Sequence, residues 1–174
     1  MHLDISLATR NPGQEFPFTL EPELEPQEFS GETIEFPVPV HMEGTFCMQG
    51  EGVILKGQLT ARYTRPCSRC LEPVTVAFSG DFYDMFYKEL NPDDPNDLYL
   101  IENYQIDMAA YATALIFLDM PMTALCSPDC RGLCPECGAN LNVSQCSCGR
   151  NGTKEERTNP LAALEALLNQ DEEV

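Results

Sequence analysis

Eight of the nine cysteines in this 174-residue chain stand in closely spaced pairs, and thiols at such spacing can share one metal ion. The pairs are Cys67/Cys70, Cys126/Cys130, Cys134/Cys137 and Cys146/Cys148. Two sulfurs held on one side of a tight turn can both reach a zinc ion at about 2.3 Å. The pattern therefore predicts thiolate metal binding as the main chemistry of the chain.

The segment "CPECG" at residues 134–138 is the sharpest local signal. Backbone N–H groups of such a turn point at the first thiolate, and the final glycine takes the left-handed conformation that completes the turn. The pair Cys146 and Cys148 follows nine residues after Cys137. We predict that these two pairs form one compact, zinc-ribbon-like site whose first ligand is Cys134.

The remaining two pairs are each half of a tetrahedral site, and we predict that they combine into a second one. Its members are Cys67, Cys70, Cys126 and Cys130. The first pair lies at a predicted turn between strands, and the second follows a predicted helix that packs on the same sheet. The ninth cysteine, Cys47, lies in a predicted strand, where a buried apolar thiol is the ordinary interpretation.

Several uses of these thiols stay open. Structural zinc, with all four positions filled by protein, is favoured. Four thiolates also suit an iron–sulfur cluster. A redox dithiol or sensor at Cys67/Cys70 is a further alternative, because Arg69 between them would lower a thiol pKa. A βαβ pattern typical of thiol oxidoreductases is missing from the sequence.

We find no residue pattern typical of an enzyme. His2 and His41 are the only histidines, and both are expected at the surface. No serine–histidine–acid set, phosphate-binding glycine loop or paired carboxylate in a plausible pocket stands out. The chain is therefore interpreted as non-enzymatic, without a small-molecule substrate.

The formal net charge is −18, which disfavours a general phosphate-binding surface. The basic residues nevertheless gather near the cysteines. Arg62, Arg65 and Arg69 surround the first pair, and Arg131 and Arg150 flank the second cysteine-rich stretch. These five arginines are the candidate contacts for RNA or for a protein partner; balancing the thiolates is the simpler alternative.

The location suggested by the sequence is the cytoplasm. The longest apolar run, residues 108–118, is far shorter than the roughly 20 residues that span a bilayer. The first ten residues lack the basic start and apolar centre of a signal peptide. A cluster of free thiols in such a chain favours metal binding over disulfides.

Three alternating stretches predict an antiparallel β-meander: residues 32–50, 52–64 and 73–90. Because Pro37 and Pro39 cannot donate to a sheet ladder, the first stretch is predicted as an edge strand.

Two helices are predicted. Residues 108–118 form a buried helix capped by Asp107 and stopped by Pro121, and residues 159–170 form a short amphipathic helix.

The predicted class is α+β. It combines an antiparallel β-sheet meander, open or barrel-like, with one packing helix, a C-terminal zinc-ribbon-like module and a short terminal helix. The expected division is a sheet-plus-helix core at 1–125, a cysteine module at 126–150, and a linker, helix and acidic tail at 151–174.

Several motifs in this order resemble the bacterial large ribosomal RNA subunit accumulation proteins, the YceD-like family. The resemblance rests on "LDISLATRNPG" at the start, "CSRCLEPV", "CRGLCPECGANLN", "CSC" and "NPLAALEAL". It covers nearly the whole chain. It is specific because "CSRCLEPV" and "CRGLCPECGANLN" both occur, in the expected order and about sixty residues apart, which chance would seldom produce.

The resemblance implies a cytoplasmic ribosome biogenesis factor that promotes accumulation of large-subunit ribosomal RNA. Partners would be the ribosomal RNA precursor, or basic ribosomal or assembly proteins that complement the acidic charge. A zinc-ribbon adaptor in another nucleic-acid machine is the alternative. No membrane association is implied.

Overall fold

The structure is a computed structural model that describes residues 1–89 and 99–148. The described residues fall into two compact units, Met1–Cys130 and a second that begins at Arg131. Every helix and strand of the described ranges lies in the first unit. In chain order they are β1 His2–Asp4, α1 Ser6–Arg10, β2 Phe16–Leu20, β3 Gln27–Phe29, β4 Glu32–Ile34, β5 His41–Gln49, β6 Gly52–Pro66, β7 Pro73–Tyr87, β8 Tyr99–Leu100, β9 Gln105–Asp107 and α2 Met108–Leu118.

The main sheet has five strands in the order β2–β5–β6–β7–β8. The strands β5, β6 and β7 form the predicted antiparallel meander, and a two-residue turn at Gly50 and Glu51 joins the first two. Gly50 takes a left-handed φ of 62°, as a tight hairpin turn requires. Within the described residues β2 and β8 do not pair, so the sheet is open and no barrel closes.

One prediction about this sheet was wrong. The stretch 32–50 was expected to be an edge strand, but β5 pairs on both sides, with β2 and with β6. Pro37 and Pro39 lie in the connection before β5, so they remove no donor from its ladder. The outer strand on that side is β2, which contains Pro17 and pairs only with β5.

The helix α2 confirms the predicted bounds and N-cap, but only one side of it is buried, and Leu118 at its end is 80% exposed. The Asp107 carboxylate accepts hydrogen bonds from the N–H groups of Ala109 and Ala110, at 3.0 and 3.3 Å, which caps the first turn. Tyr111 is buried against the rings of Phe82 and Phe86, with centroids 5.6 and 5.1 Å away. The aromatic contacts fix the helix over the inner face of the sheet.

The hairpin β6–β7 is the longest feature of the fold. Its two 15-residue strands pair without interruption from Gly52↔Tyr87 to Pro66↔Pro73. The partner β5 covers β6 only as far as Thr60, and beyond that point Glu35 forms an isolated bridge with Thr64. We call the part of the hairpin beyond Thr60 the arm. Cys67 and Cys70 lie at the turn of this arm.

Several predicted features lie outside the described residues. They include the terminal helix at 159–170 and Arg150. Neither of the two helices in the described ranges has the length and apolar character needed to cross a bilayer.

A pair of glycines gives the first testable prediction. Gly44 and Gly57 are direct cross-strand partners, and a Cβ on Gly44 would lie 2.1 Å from the Lys56 carbonyl oxygen. We expect Gly44→Ala to lower the free energy of unfolding by about 3 kcal/mol, since backbone must move. Urea denaturation measures this change.

The matched control is Gly80→Ala, because there a Cβ meets only the movable ring of Phe78 at 3.0 Å. An equal loss of stability in both variants would contradict the close approach of β5 and β6.

Candidate metal centres

The eight paired cysteines assemble into two groups of four, each with all sulfurs within 4.8 Å of one another. Group I combines Cys67, Cys70, Cys126 and Cys130; group II combines Cys134, Cys137, Cys146 and Cys148. Group I lies in the first unit and group II in the second. These are the two sets that the sequence predicted, and either can hold a metal ion.

Group I joins the tip of the β6–β7 hairpin to the segment that follows α2. The Sγ atoms of Cys67 and Cys130 are 3.8 Å apart, and those of Cys70 and Cys126 are 3.5 Å apart. Three of the four cysteines are buried and Cys126 is exposed. Little of the group is therefore open to solvent or to a substrate.

Hydrogen bonds between the same two segments fix the position of group I. The Ser68 N–H donates to the Ala124 carbonyl at 2.8 Å, and the Ala124 N–H donates back to Ser68 Oγ at 3.1 Å. The Arg69 guanidinium donates to the Cys130 carbonyl at 2.9 Å. The geometry of the four sulfurs is thus supported by a surrounding shell of protein contacts.

Group II is built within a short loop of the second unit. Its first two cysteines lie in the "CPECG" turn, flanked by an isolated β-bridge between Leu133 and Asn140. Cys134 is buried, Cys137 is exposed, and the last two cysteines are partly exposed. Group II is therefore more accessible than group I.

The two Cys-x-x-Cys segments have the same backbone structure. We call Cys67–Glu72 knuckle I and Cys134–Ala139 knuckle II. In each knuckle the N–H of the first cysteine donates to the carbonyl of the sixth and last residue at 2.8 Å. The carbonyl of the same cysteine accepts a hydrogen bond from the N–H of the fifth residue at 2.9 Å. The fifth residue is left-handed in both: Gly138 has φ 71° and Leu71 has φ 61°.

This likeness exposes a residue that the sequence analysis missed. Glycine is the relaxed residue for a left-handed turn, and knuckle I has Leu71 there instead. The Leu71 side chain is 65% exposed. Aligning "CSRCL" with "CPECG" position by position would have revealed the mismatch.

The first thiol of each knuckle is biased towards the thiolate. Burial acts to raise the pKa of Cys67, but backbone N–H groups, led by that of Arg69, outweigh it and lower the pKa to about 6. In the same way the N–H groups of knuckle II, led by that of Cys137, lower the pKa of Cys134 to about 7. Thiolate is the form that binds metal.

The sulfur positions fit one tetrahedral ion. Four ligands at about 2.3 Å in tetrahedral geometry have neighbouring sulfurs about 3.8 Å apart. The 3.5 and 3.8 Å separations in group I are close to this edge and exceed the roughly 2.05 Å of a disulfide. All cysteines in the described residues are free thiols.

Cys47 corrects a prediction. It is partly exposed rather than buried, and its sulfur lies 3.6 Å from the Met48 carbonyl oxygen. Its neighbours Phe46 and Met48 point into the core, so alternation along β5 places Cys47 on the outer face.

The candidate arginines occupy different environments. Arg62, Arg69 and Arg131 are exposed, and Arg62 has no hydrogen-bond or ion-pair partner among the described residues. Arg65 corrects a prediction, since it is only 5% exposed.

The Arg65 guanidinium pairs with the Glu32 carboxylate at 2.6 Å and donates to the Pro121 carbonyl at 2.7 Å. Arg65 therefore anchors the arm to the rest of the first unit and is not a surface contact.

A family model described as "Large ribosomal RNA subunit accumulation protein YceD" matches residues 55–168, more than half of the chain. The chain belongs to the YceD family. The matched region includes all eight cysteines of groups I and II. No solved structure matches the chain.

The individual relatives include one that carries the same family name. A chloroplastic large ribosomal RNA subunit accumulation protein YCED homolog 1 of Arabidopsis thaliana is 38% identical over 39% of this chain and 21% of its own length. An uncharacterized protein of Mycobacterium tuberculosis is 30% identical over 52% of this chain and 46% of its own.

The chain thus spans less than half the length of these two relatives. The uncharacterized protein YlbN of Bacillus subtilis is 28% identical over 93% of both chains.

The shared structure of the knuckles yields a pair of opposite expectations. We expect Gly138→Ala to lower the free energy of unfolding by about 1 kcal/mol, because a Cβ disfavours the left-handed φ of 71°. We expect Leu71→Gly to leave stability unchanged or raise it by up to about 1 kcal/mol, since it relieves the same strain. Denaturation of the metal-loaded protein measures both, and a clear loss of stability in Leu71→Gly would contradict the comparison.

Proposed function

We propose that this protein is a non-enzymatic ribosome biogenesis factor that promotes the accumulation or processing of large-subunit (23S) ribosomal RNA in the cytoplasm. Membership of the YceD family, through a match that spans both cysteine groups, carries the proposal. The Arabidopsis relative, a large ribosomal RNA subunit accumulation protein YCED homolog, points in the same direction. The function is binding rather than catalysis.

Structural zinc holds both cysteine groups in this proposal. Zinc prefers four thiolates in a closed tetrahedron, and such sites stabilise small folds. An iron–sulfur cluster distributes its thiolates over several iron atoms, so their sulfurs lie farther apart than those on one ion. Sulfurs that all lie within 4.8 Å of one another support a single ion.

The redox alternative receives less support. A dithiol that exchanges with substrates needs an accessible nucleophilic sulfur. Cys67 is 0% and Cys70 is 3% exposed, and both belong to group I. Protection of both thiols from alkylating reagents in the metal-loaded protein distinguishes a ligand pair from a redox pair.

Binding to the ribosome precursor can use RNA or a basic protein. A net charge of −18 favours a basic ribosomal or assembly protein, because acidic faces complement it. Direct RNA contact requires exposed cations that no carboxylate neutralises. Among the described arginines of the first unit, Arg62 and Arg69 are both exposed without an ion pair, and Arg62 is chosen because Arg69 is bonded to the Cys130 carbonyl.

Zinc content provides the first test. We expect native mass spectrometry to find two zinc ions in the wild-type protein. In the presence of a competing chelator, Cys70→Ser and Cys137→Ser should each retain one, because each removes a ligand from a different group.

Cys47→Ser is the control and should keep two ions, since Cys47 belongs to neither group. A variant Cys70→Ser that keeps two ions, or a wild-type protein with none, would overturn the assignment.

Arg62 and Lys56 give a matched test of RNA contact. Both are exposed on the outer face of β6, but Lys56 is ion-paired with Glu15 at 2.7 Å. If precursor RNA is bound directly, Arg62→Gln should weaken binding about five- to tenfold. The slope of log K against the logarithm of the salt concentration should become shallower by about 0.7, because one phosphate contact is lost.

Lys56→Gln makes the same change in net charge and should have little effect. Equal losses would mean that only overall charge matters, and no RNA binding by the wild type would assign recognition to a protein. Electrophoretic mobility shifts with a 23S precursor transcript at several salt concentrations measure these outcomes.

The function itself is tested in cells. Depletion of the protein should reduce mature 23S relative to 16S ribosomal RNA, and the protein should co-sediment with large-subunit precursors. Co-sedimentation with a transcription complex instead would favour the zinc-ribbon adaptor alternative.

A further inference from the structure

Leu71 combines two unfavourable features at one position. Its backbone is left-handed, with φ 61°, a conformation in which a Cβ is costly. Its side chain is also 65% exposed, so its apolar surface gains little from burial in the fold. The equivalent position of knuckle II carries the unstrained residue, Gly138.

The fold does not require a leucine here. The structural task of the fifth knuckle residue is its N–H bond to the Cys67 carbonyl, at 2.9 Å. Glycine performs that task in knuckle II with the same distance. A strained residue that the local structure does not need points to a role outside the fold.

The tip that carries Leu71 is rigid. Knuckle I is bonded to the segment after α2 through Ser68 and Ala124 and through Arg69 and Cys130. Group I joins the same segments. A preorganised apolar side chain loses little conformational entropy on binding, which favours its use as an anchor in an interface.

The charges near the tip indicate the kind of partner. Glu72 directly follows Leu71, and Asp129 lies beside Cys130, which accepts the Arg69 bond. Both acidic side chains are exposed. The exposed Arg69 and Arg131 in the same segments offset these two charges but leave no excess of cations for phosphate, and the Arg69 guanidinium is already bonded to the Cys130 carbonyl. The aliphatic Leu71 offers no ring on which an RNA base could stack. A protein pocket with a basic rim fits both the leucine and the acids.

We infer that Leu71 is an anchor residue that inserts into an apolar pocket with a basic rim on a protein of the large-subunit precursor. This inference rests on the proposed function, because it takes the precursor as the place where that protein is found. It adds the contact residue and selects a protein over RNA as the partner at this tip.

The experiment uses purified large-subunit precursor particles and, separately, protein-free 23S transcript as probes. Full-length wild type is compared with Leu71→Gly and with Leu118→Ala, which removes another leucine, 80% exposed, at the end of α2. We expect Leu71→Gly to weaken binding to particles tenfold or more, with unchanged metal content and an unfolding midpoint no lower than that of the wild type. Leu118→Ala should bind within twofold of the wild type.

Each outcome decides a separate question. Equal binding of Leu71→Gly and wild type to particles overturns the anchor and leaves the proposed function standing. A loss that appears equally with protein-free transcript makes RNA the partner and also overturns the inference. Failure of the wild type to bind either probe contradicts the proposed function itself, together with the partner inferred from it.

Discussion

Four sulfurs in group I hold together segments that are 56 to 63 residues apart in the chain. Beyond Thr60 the β6–β7 arm has lost its neighbour β5. It is held there by two backbone hydrogen bonds between Glu35 and Thr64, and its tip is joined to the rest of the first unit by group I. Four thiolates within 4.8 Å repel one another strongly, which means that such a group is stable as protonated thiols or around a cation. A bound cation would therefore cancel the repulsion among the thiolates and tie together the two ends of a long loop.

The second anchor of the arm is an ion pair rather than a group of thiols. Arg65 places a buried charge beside Glu32 and satisfies the Pro121 carbonyl as well. A buried ion pair adds little net stability, but removing one partner leaves an unpaired charge in the interior. Its contribution is therefore to specify one arrangement of β4, the arm and the end of α2 against alternatives. The thiolate group then closes an arrangement that is already specified.

Local patterns in the sequence predicted much of this architecture. Alternation identified the meander, and Asp107 marked the start of α2. Spacing grouped the cysteines of group II, and group I followed by combining the two pairs that remained. Long-range facts were out of reach. The residues around Arg65 in the sequence do not indicate that it is buried, nor that it pairs with Glu32, which lies 33 residues earlier. Whether Pro37 ends a strand or precedes one depends on which side of it the neighbouring strands pair.

The unbroken pairing of β6 and β7 has a consequence for how this family can vary. The core contacts of Phe82 and Phe86 fix one end of the hairpin, and the thiols of knuckle I fix the other. Side chains alternate faces at every residue, so an extra residue in one strand would invert the facing of everything beyond it unless a β-bulge absorbed it. Between these two fixed ends, a change in hairpin length that keeps both ends facing as they do needs an even number of residues in each strand, or a bulge.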